Sequence, residues 1–132
     1  MEVPNCYYRV SIKALILDET RTKFLLVQEP DGRWELPGGG LDHGEDIHEG
    51  LRREIREEMG LEVTSIAEKP AYFFPARNKS GSHIVNALYE TTLESLNFTP
   101  TKECAAIRFF SAKEARQVEL LPNVPVFVEM FR

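Results

Sequence analysis

Three glutamates, Glu54, Glu57 and Glu58, stand close together in a segment whose apolar residues, Ile47, Leu51, Ile55 and Met59, recur at every fourth position. That spacing predicts an α-helix with one core-facing stripe. At about 100° per residue, Glu57, Glu54 and Glu58 fall at about −80°, −20° and +20° from Ile47. The carboxylates therefore share one arc along the border of the apolar stripe. Left alone they repel by about 0.2–0.5 kcal/mol per pair, and they sit in the last turns, where the helix dipole prefers cations. One relief is a solvated face bridged by Arg52, Arg53 and Arg56. The other is a hard divalent cation, Mg²⁺ or Mn²⁺, which takes several carboxylate oxygens together with water and phosphate. The position beside the stripe, and the glycine run upstream, favour the cation. Zinc does not suit the site, because no His/Cys set has ligand spacing.

Gly38-Gly39-Gly40 precedes this helix. A glycine run alone is only a tight connection where regular structure breaks. Followed six residues later by Asp46 at a helix start, it also gives backbone groups close access to whatever the carboxylates hold.

The elements that must position these groups are legible on both sides. Tyr7–Leu17 reads as a strand, with Val10, Ile12, Ala14 and Ile16 alternating with Arg9, Ser11 and Lys13. Asp18–Thr22 is a polar turn, and Lys23–Gln28 returns as a second strand. Pro30, Asp31 and Gly32 mark a further turn before Trp34-Glu35-Leu36. Asp46 is the expected N-cap of the helix, with Glu49 three residues on, and Gly60 its stop. Leu61–Ile66 is short and extended. Ala71–Phe74 and His83–Thr91 read as strands joined by the loop Pro75–Ser82, and Ala106–Phe110 as one more. Ser111 and Glu114 form a capping box for a helix near Ala112–Val118, and Val124–Phe131 is a terminal helix. Strands, one helix, more strands and then terminal helices predict a mixed α/β sandwich.

The chain's 132 residues suit one domain, 1–132, with one substantial core. A net charge of −5 argues against a nucleic-acid backbone binder, whose affinity rests on a basic surface. It leaves a phosphorylated small molecule open, because a bound cation reverses the local field. Between Asp42 and Glu58 there are seven acidic and three basic side chains, so most of the net charge sits in that segment. Cys6 and Cys104 read as reduced thiols. No apolar stretch is long enough to span a membrane, and Met1–Asn5 lacks a charged-then-apolar signal pattern. A cytoplasmic location is expected, with no membrane partner.

Read together, Gly39-x5-Glu45-x7-Arg53-Glu54-Ile55-x-Glu57-Glu58-x-Gly60-Leu61 resembles the Nudix box at every fixed position, and Trp34–Gly38 before it is also similar to that family. The resemblance implies an αβα sandwich with a mixed central sheet and a catalytic loop-helix. It implies divalent-metal-dependent hydrolysis of a phosphoanhydride bond in a nucleoside diphosphate linked to another group. Candidate substrates are a nucleoside triphosphate, a nucleotide sugar, ADP-ribose or a related compound. By the same resemblance Glu54, Glu57 and Glu58 are metal ligands, joined by the carbonyl of Gly38. Arg53 orients them, with Glu45 as its ionic partner. Glu54 or Glu57 deprotonates the attacking water, unless Glu103, outside the motif, has that role. A homodimer is common among small members. The alternative is a catalytically silent, nucleotide-sensing module; the intact glutamates favour an enzyme.

Substrate contacts lie outside the motif. Tyr72, Phe73 and Phe74 are available to stack a base, although period-two alternation sends some of them to the core. Arg77, Lys79 and His83 flank a loop that would meet phosphate, and Arg9 and Lys13 share one strand face. Of these and the outlying acid, Arg9, Phe73, Arg77 and Glu103 are the candidate substrate contacts. Where family subclasses carry a marker proline or tyrosine some sixteen residues past the box, this chain has Arg77, with Pro75 slightly early and Tyr72 earlier still, a departure that weakens assignment to either the ADP-ribose or the diadenosine-polyphosphate subclass.

Overall fold

The computed structural model describes residues 5–132. The expectation for Met1–Asn5 therefore lies outside the described residues, apart from Asn5. In chain order the elements are β1 (Arg9–Leu15), β2 (Phe24–Gln28), β3 (Trp34–Glu35), β4 (Gly38–Gly40), α1 (Ile47–Met59), β5 (Val63–Ile66), β6 (Tyr72–Arg77), β7 (His83–Leu93), β8 (Ala106–Phe110), α2 (Ala112–Ala115) and α3 (Val124–Met130). One sheet runs β4-β1-β7-β5, with β6 also paired to β7. Within it β1 and β7 are parallel and the other pairs antiparallel. A smaller antiparallel sheet runs β3-β2-β8.

Two apolar clusters, one on each side of the sheets, make an αβα sandwich. Ile12, Ala14, Leu25, Val27 and Ala87 pack with Leu51, Ile55 and Met59 of α1. On the other side Leu15, Phe24, Leu26, Leu88 and Phe110 pack with Val124, Phe127 and Val128 of α3. Alternate residues of β1 and β2 thus feed opposite clusters, as a period of two requires. The expected alternation of buried and exposed residues on β1 does not hold: Arg9 and Val10 are both exposed, and every later position is buried. Ser11 and Lys13 are buried too, because the second layer covers that face.

Strand β1 is shorter than the expected Tyr7–Leu17 and β7 runs two residues past Thr91, and three further differences from the sequence reading bear on the site. Gly38–Gly40 is a strand, pairing Gly38, Gly39 and Gly40 with Lys13, Ile12 and Ser11. The run does not break the structure, because residues without Cβ let β1 and the helix approach from both sides. Strand β6 continues through Pro75 to Arg77, shrinking the expected Pro75–Ser82 loop to a tight turn. Proline is tolerated there because β7 flanks β6 on one side only. Helix α2 stops at Ala115 instead of near Val118, although its Ser111–Glu114 capping box forms as expected. No helix among the described residues is long and apolar enough to cross a membrane.

Candidate active site

Helix α1 begins where the Asp46 carboxylate accepts the backbone N–H of Glu49, and ends at Gly60, whose φ of 68° is left-handed. Leu51, Ile55 and Met59 anchor it to the sheet. That anchoring presents the neighbouring glutamates to β4. The backbone N–H of Gly38 donates to Glu58 Oε1 at 3.2 Å. Glu54 lies directly over Gly39, so close that a Cβ on the glycine would meet the carboxyl group.

Arg53 organises the remainder. Its Nε and Nη2 donate to the two oxygens of Glu45 at 2.7 and 3.0 Å, a bidentate pair. Nη1 donates to Glu54 and to Glu57, each at 3.2 Å. Gly50 makes room for this arrangement, since a Cβ there would fall 2.8 Å from Glu45 Oε1. Held mainly by Glu45, the guanidinium is even harder to deprotonate than usual. The same hydrogen bond lowers the pKa of Glu45.

Burial acts the other way on two of the motif glutamates. It raises the pKa of Glu54, although Arg53 opposes the rise. It pushes Glu58 up to about 8, against the pull of Lys13 and of the Gly38 N–H, with Glu35 and Glu54 adding repulsion. Desolvated carboxylates crowded together in this way are short of positive charge. Their hard oxygen donors fit Mg²⁺ or Mn²⁺. They do not stand as a ready cage: among the described residues no three acidic, histidine or cysteine side chains close on a common point. Arg53 ties Glu54 and Glu57, and the Gly38 carbonyl faces Lys13 Nζ at 3.4 Å.

Behind β4 lies a cleft of about 310 Å³ lined by Arg9, Ser11 and Lys13 of β1, Gly39 and Gly40, Glu29 and Glu35, and the Asn78–Ser80 turn. Two of its lining residues, Lys13 and Glu35, lead into a buried polar network that the sequence reading missed. Buried Lys13 is 3.6 Å from Glu35 Oε2. Glu35 Oε1 accepts from Leu36 N and from Asn123 Nδ2, both at 2.8 Å. Asn123 Nδ2 also donates to Asn86 Oδ1 at 3.1 Å. Asn86 and Asn123 are fully buried, yet Asn86 Nδ2 and Asn123 Oδ1 find no partner among the described residues. A spare donor and a spare acceptor inside a protein are costly unless a ligand or water uses them. The one sequence signal was Asn86 itself, a polar residue within the apolar run Ile84–Tyr89. Asn123 stands at the N-cap position of α3, but its side chain makes no capping bond.

The four candidate substrate contacts separate. Arg9 lies at the cleft, over Gly40. Phe73 is 64% exposed and shares a register row with Ala87, Ile12 and Gly39. That row faces α1, so the ring projects away from the cleft. Tyr72 and Phe74 pack in the opposite cluster, Tyr72 edge-on to Phe127. Arg77 is spent on its own turn, donating to the Gly81 carbonyl at 3.0 Å. Its neighbour Lys79 pairs with Glu29 at 3.2 Å across the cleft rim. Glu103 is exposed beside Thr101, whose hydroxyl donates to the Glu58 carbonyl, so it stands near the C-terminal end of α1. Cys6 and Cys104 are free thiols.

The family model described as the NUDIX domain matches residues 7–130. Nudix hydrolase 2 of Arabidopsis thaliana is 31% identical over 117 residues, which cover 75% of this chain and 41% of the plant protein. The chain thus spans less than half of that relative's length. Among solved structures, the Escherichia coli ORF135 protein superposes with a TM-score of 0.74 at 26% identity, covering 94% of this chain and 88% of the other. An ADP-ribose pyrophosphatase from Streptococcus suis superposes with a TM-score of 0.60 at 30% identity, covering 86% and 80% respectively.

Proposed function

The chain belongs to the Nudix family, and we propose that it hydrolyses a phosphoanhydride bond in a nucleoside diphosphate linked to another group, acting as one domain with Mg²⁺ or Mn²⁺. The observation that carries this reading is the crowding of Glu54 and Glu58 against Gly38 and Gly39, with Arg53 holding Glu54 and Glu57 together. Glu54, Glu57, Glu58 and the Gly38 carbonyl would hold the cation. When bound, it neutralises phosphate oxygens and makes water a better nucleophile.

The chain's own groups do the rest. Arg53 keeps two glutamates aligned while Glu45 fixes its own orientation. Arg9 and Lys13 bring positive charge to the side of β4 where phosphate would enter from the cleft. Glu54 or Glu57 takes the proton of the attacking water, and Glu103 is the candidate outside the motif. The water attacks phosphorus and the bridging oxygen leaves with its electron pair, so no covalent enzyme intermediate is needed. The ADP-ribose pyrophosphatase among the structural neighbours bears on the substrate class by its name.

The test is product analysis across nucleoside triphosphates, nucleotide sugars, ADP-ribose and dinucleoside polyphosphates with Mg²⁺ or Mn²⁺, with Glu57→Gln as control. Turnover of one class, lost with EDTA and in the variant, is the expected result. Tight nucleotide binding with no turnover of any compound would replace the hydrolase by a nucleotide sensor.

A further inference from the structure

Two cavities share one side chain of β1, Arg9. Beyond the cleft, a larger one of about 760 Å³ opens at the start of β1, between Tyr7, Tyr8 and Val10 and the Leu41–Glu45 loop. Arg9 lines both cavities. Its guanidinium lies over Gly40, where a Cβ would fall 2.5 Å from Nε, and reaches within 3.6 Å of Asp42. The larger cavity also touches Asp42 and Glu45, both of which contact Arg53. The two cavities therefore meet at a guanidinium that Asp42 links to Arg53, which in turn holds Glu54 and Glu57. A diphosphate held at Arg9 would send one substituent into each.

The walls of the larger cavity limit what that substituent can be. Tyr7 and Tyr8 are 70% and 48% exposed and offer ring faces. Tyr8 is steadied by an edge contact with His83, ring centroids 5.7 Å apart. Across from them are the carboxylates of Asp42 and Glu45 and the imidazole of His43, with Arg9 the one guanidinium in the lining. A terminal phosphate placed there would face two like charges. A neutral ring rich in hydroxyls would lay its C–H face on a tyrosine and donate hydroxyl protons to the exposed Asp42.

Resting on the hydrolase reading above, we propose that this cavity is the subsite for the group beyond the diphosphate. That group is a neutral polyhydroxylated ring, so a nucleotide sugar is preferred to a nucleoside triphosphate. Arg9 meets the bridging diphosphate between the two subsites.

Calorimetry with Ca²⁺, which supports binding while slowing turnover, tests this on the full chain. The probes are ADP-glucose and UDP-glucose against the β-methyl esters of ADP and UDP, which carry the same charge and lack the ring. The expected result is at least about tenfold tighter binding of the sugar nucleotide. A Tyr7→Ala/Tyr8→Ala double variant erases that difference and leaves the methyl esters bound as before, while Tyr7→Phe keeps it. Equal affinity of sugar and methyl compounds in the unaltered protein overturns the subsite and leaves the hydrolase reading in place. So does a preference that survives the double substitution, or a variant that weakens all probes equally. Binding of none of the probes removes the underlying nucleotide reading, and the subsite falls with it.

Discussion

A Cβ placed on Gly39 would lie 2.6 Å from the carboxyl carbon of Glu54, so the strand glycine and the helix glutamate touch with no space for a side chain between them. The contact joins the two halves of the motif across the sheet edge. It also separates two adjacent glycines by purpose, because the atom facing Gly39 is the far end of a flexible side chain, while Gly38 faces the backbone of Ile12 and Lys13.

Gly39→Ala is therefore expected to leave the fold nearly intact and displace Glu54. Turnover should fall by about 10²-fold, the usual penalty for misplacing a reacting group by roughly an ångström. Gly38→Ala meets strand backbone and a φ of 128°, and the conformation alone should cost about 1–3 kcal/mol. Urea denaturation beside steady-state kinetics separates the two. Equal losses of stability would show that Glu54 is not the part that yields.

Arg53 is the one cation that contacts Glu45, Glu54 and Glu57 together among the described residues. Lysine carries the charge without the planar fork, so Arg53→Lys cannot keep the bidentate pair with Glu45 while bridging the other two. We expect kcat/KM to fall by about tenfold or more, a loss of roughly 1.4 kcal/mol in transition-state stabilisation. A double-mutant cycle with Glu45→Gln should give a coupling of about 0.5–3 kcal/mol. Additive losses would mean that Glu45 does not act through Arg53.

The helix and its glutamates were legible because a 3.6-residue period is local: the spacing of Ile47, Leu51, Ile55 and Met59 fixes which residues border the core. The αβα architecture followed from element order and the motif resemblance. What escaped was set by long-range pairing. Nothing near Lys13 in sequence says that α3 and the smaller sheet cover its face of β1. Glu35, Asn86 and Asn123 meet across 88 and 37 residues of chain, a distance no periodicity reports. The glycine strand was misread for a related reason, since propensity counts glycine as a breaker and cannot see a neighbouring strand that needs its missing Cβ.

The orientation of Phe73 makes a prediction against the sequence reading that chose it as a substrate contact. Its ring is 64% exposed and on the α1 side of the sheet, away from the cleft. Phe73→Ala should change stability by no more than about 0.5 kcal/mol, as exposed substitutions usually do. KM for the substrate found in the panel should not move. A rise of about tenfold, 1.4 kcal/mol of lost binding, would put the substrate on the opposite face from the one argued above.

The last prediction concerns Glu58, whose pKa is carried by burial from an ordinary 4.5 to about 8 in the metal-free fold. Between those values the folded chain holds a proton that the unfolded chain has released. The stabilising contribution is complete below the unfolded pKa and is lost as pH rises through the folded one. In EDTA, stability should therefore decline from about pH 4.5 to about pH 8, and Glu54, raised by the same cause, adds to the slope. Glu45 is lowered by Arg53, so its contribution has the opposite sign and falls in the more acidic range. A cation needs the carboxylate ionised, so binding near neutral pH must expel the proton. Titrating Mg²⁺ or Mn²⁺ into the protein at pH 7 in buffers of different ionisation enthalpy should reveal proton release, most of it absent in Glu58→Gln. The variant should also flatten the EDTA stability profile. Metal binding with no linked proton, in a protein whose metal-free stability does not fall across that range, would mean that Glu58 is already ionised and that Lys13 and the Gly38 N–H outweigh its burial.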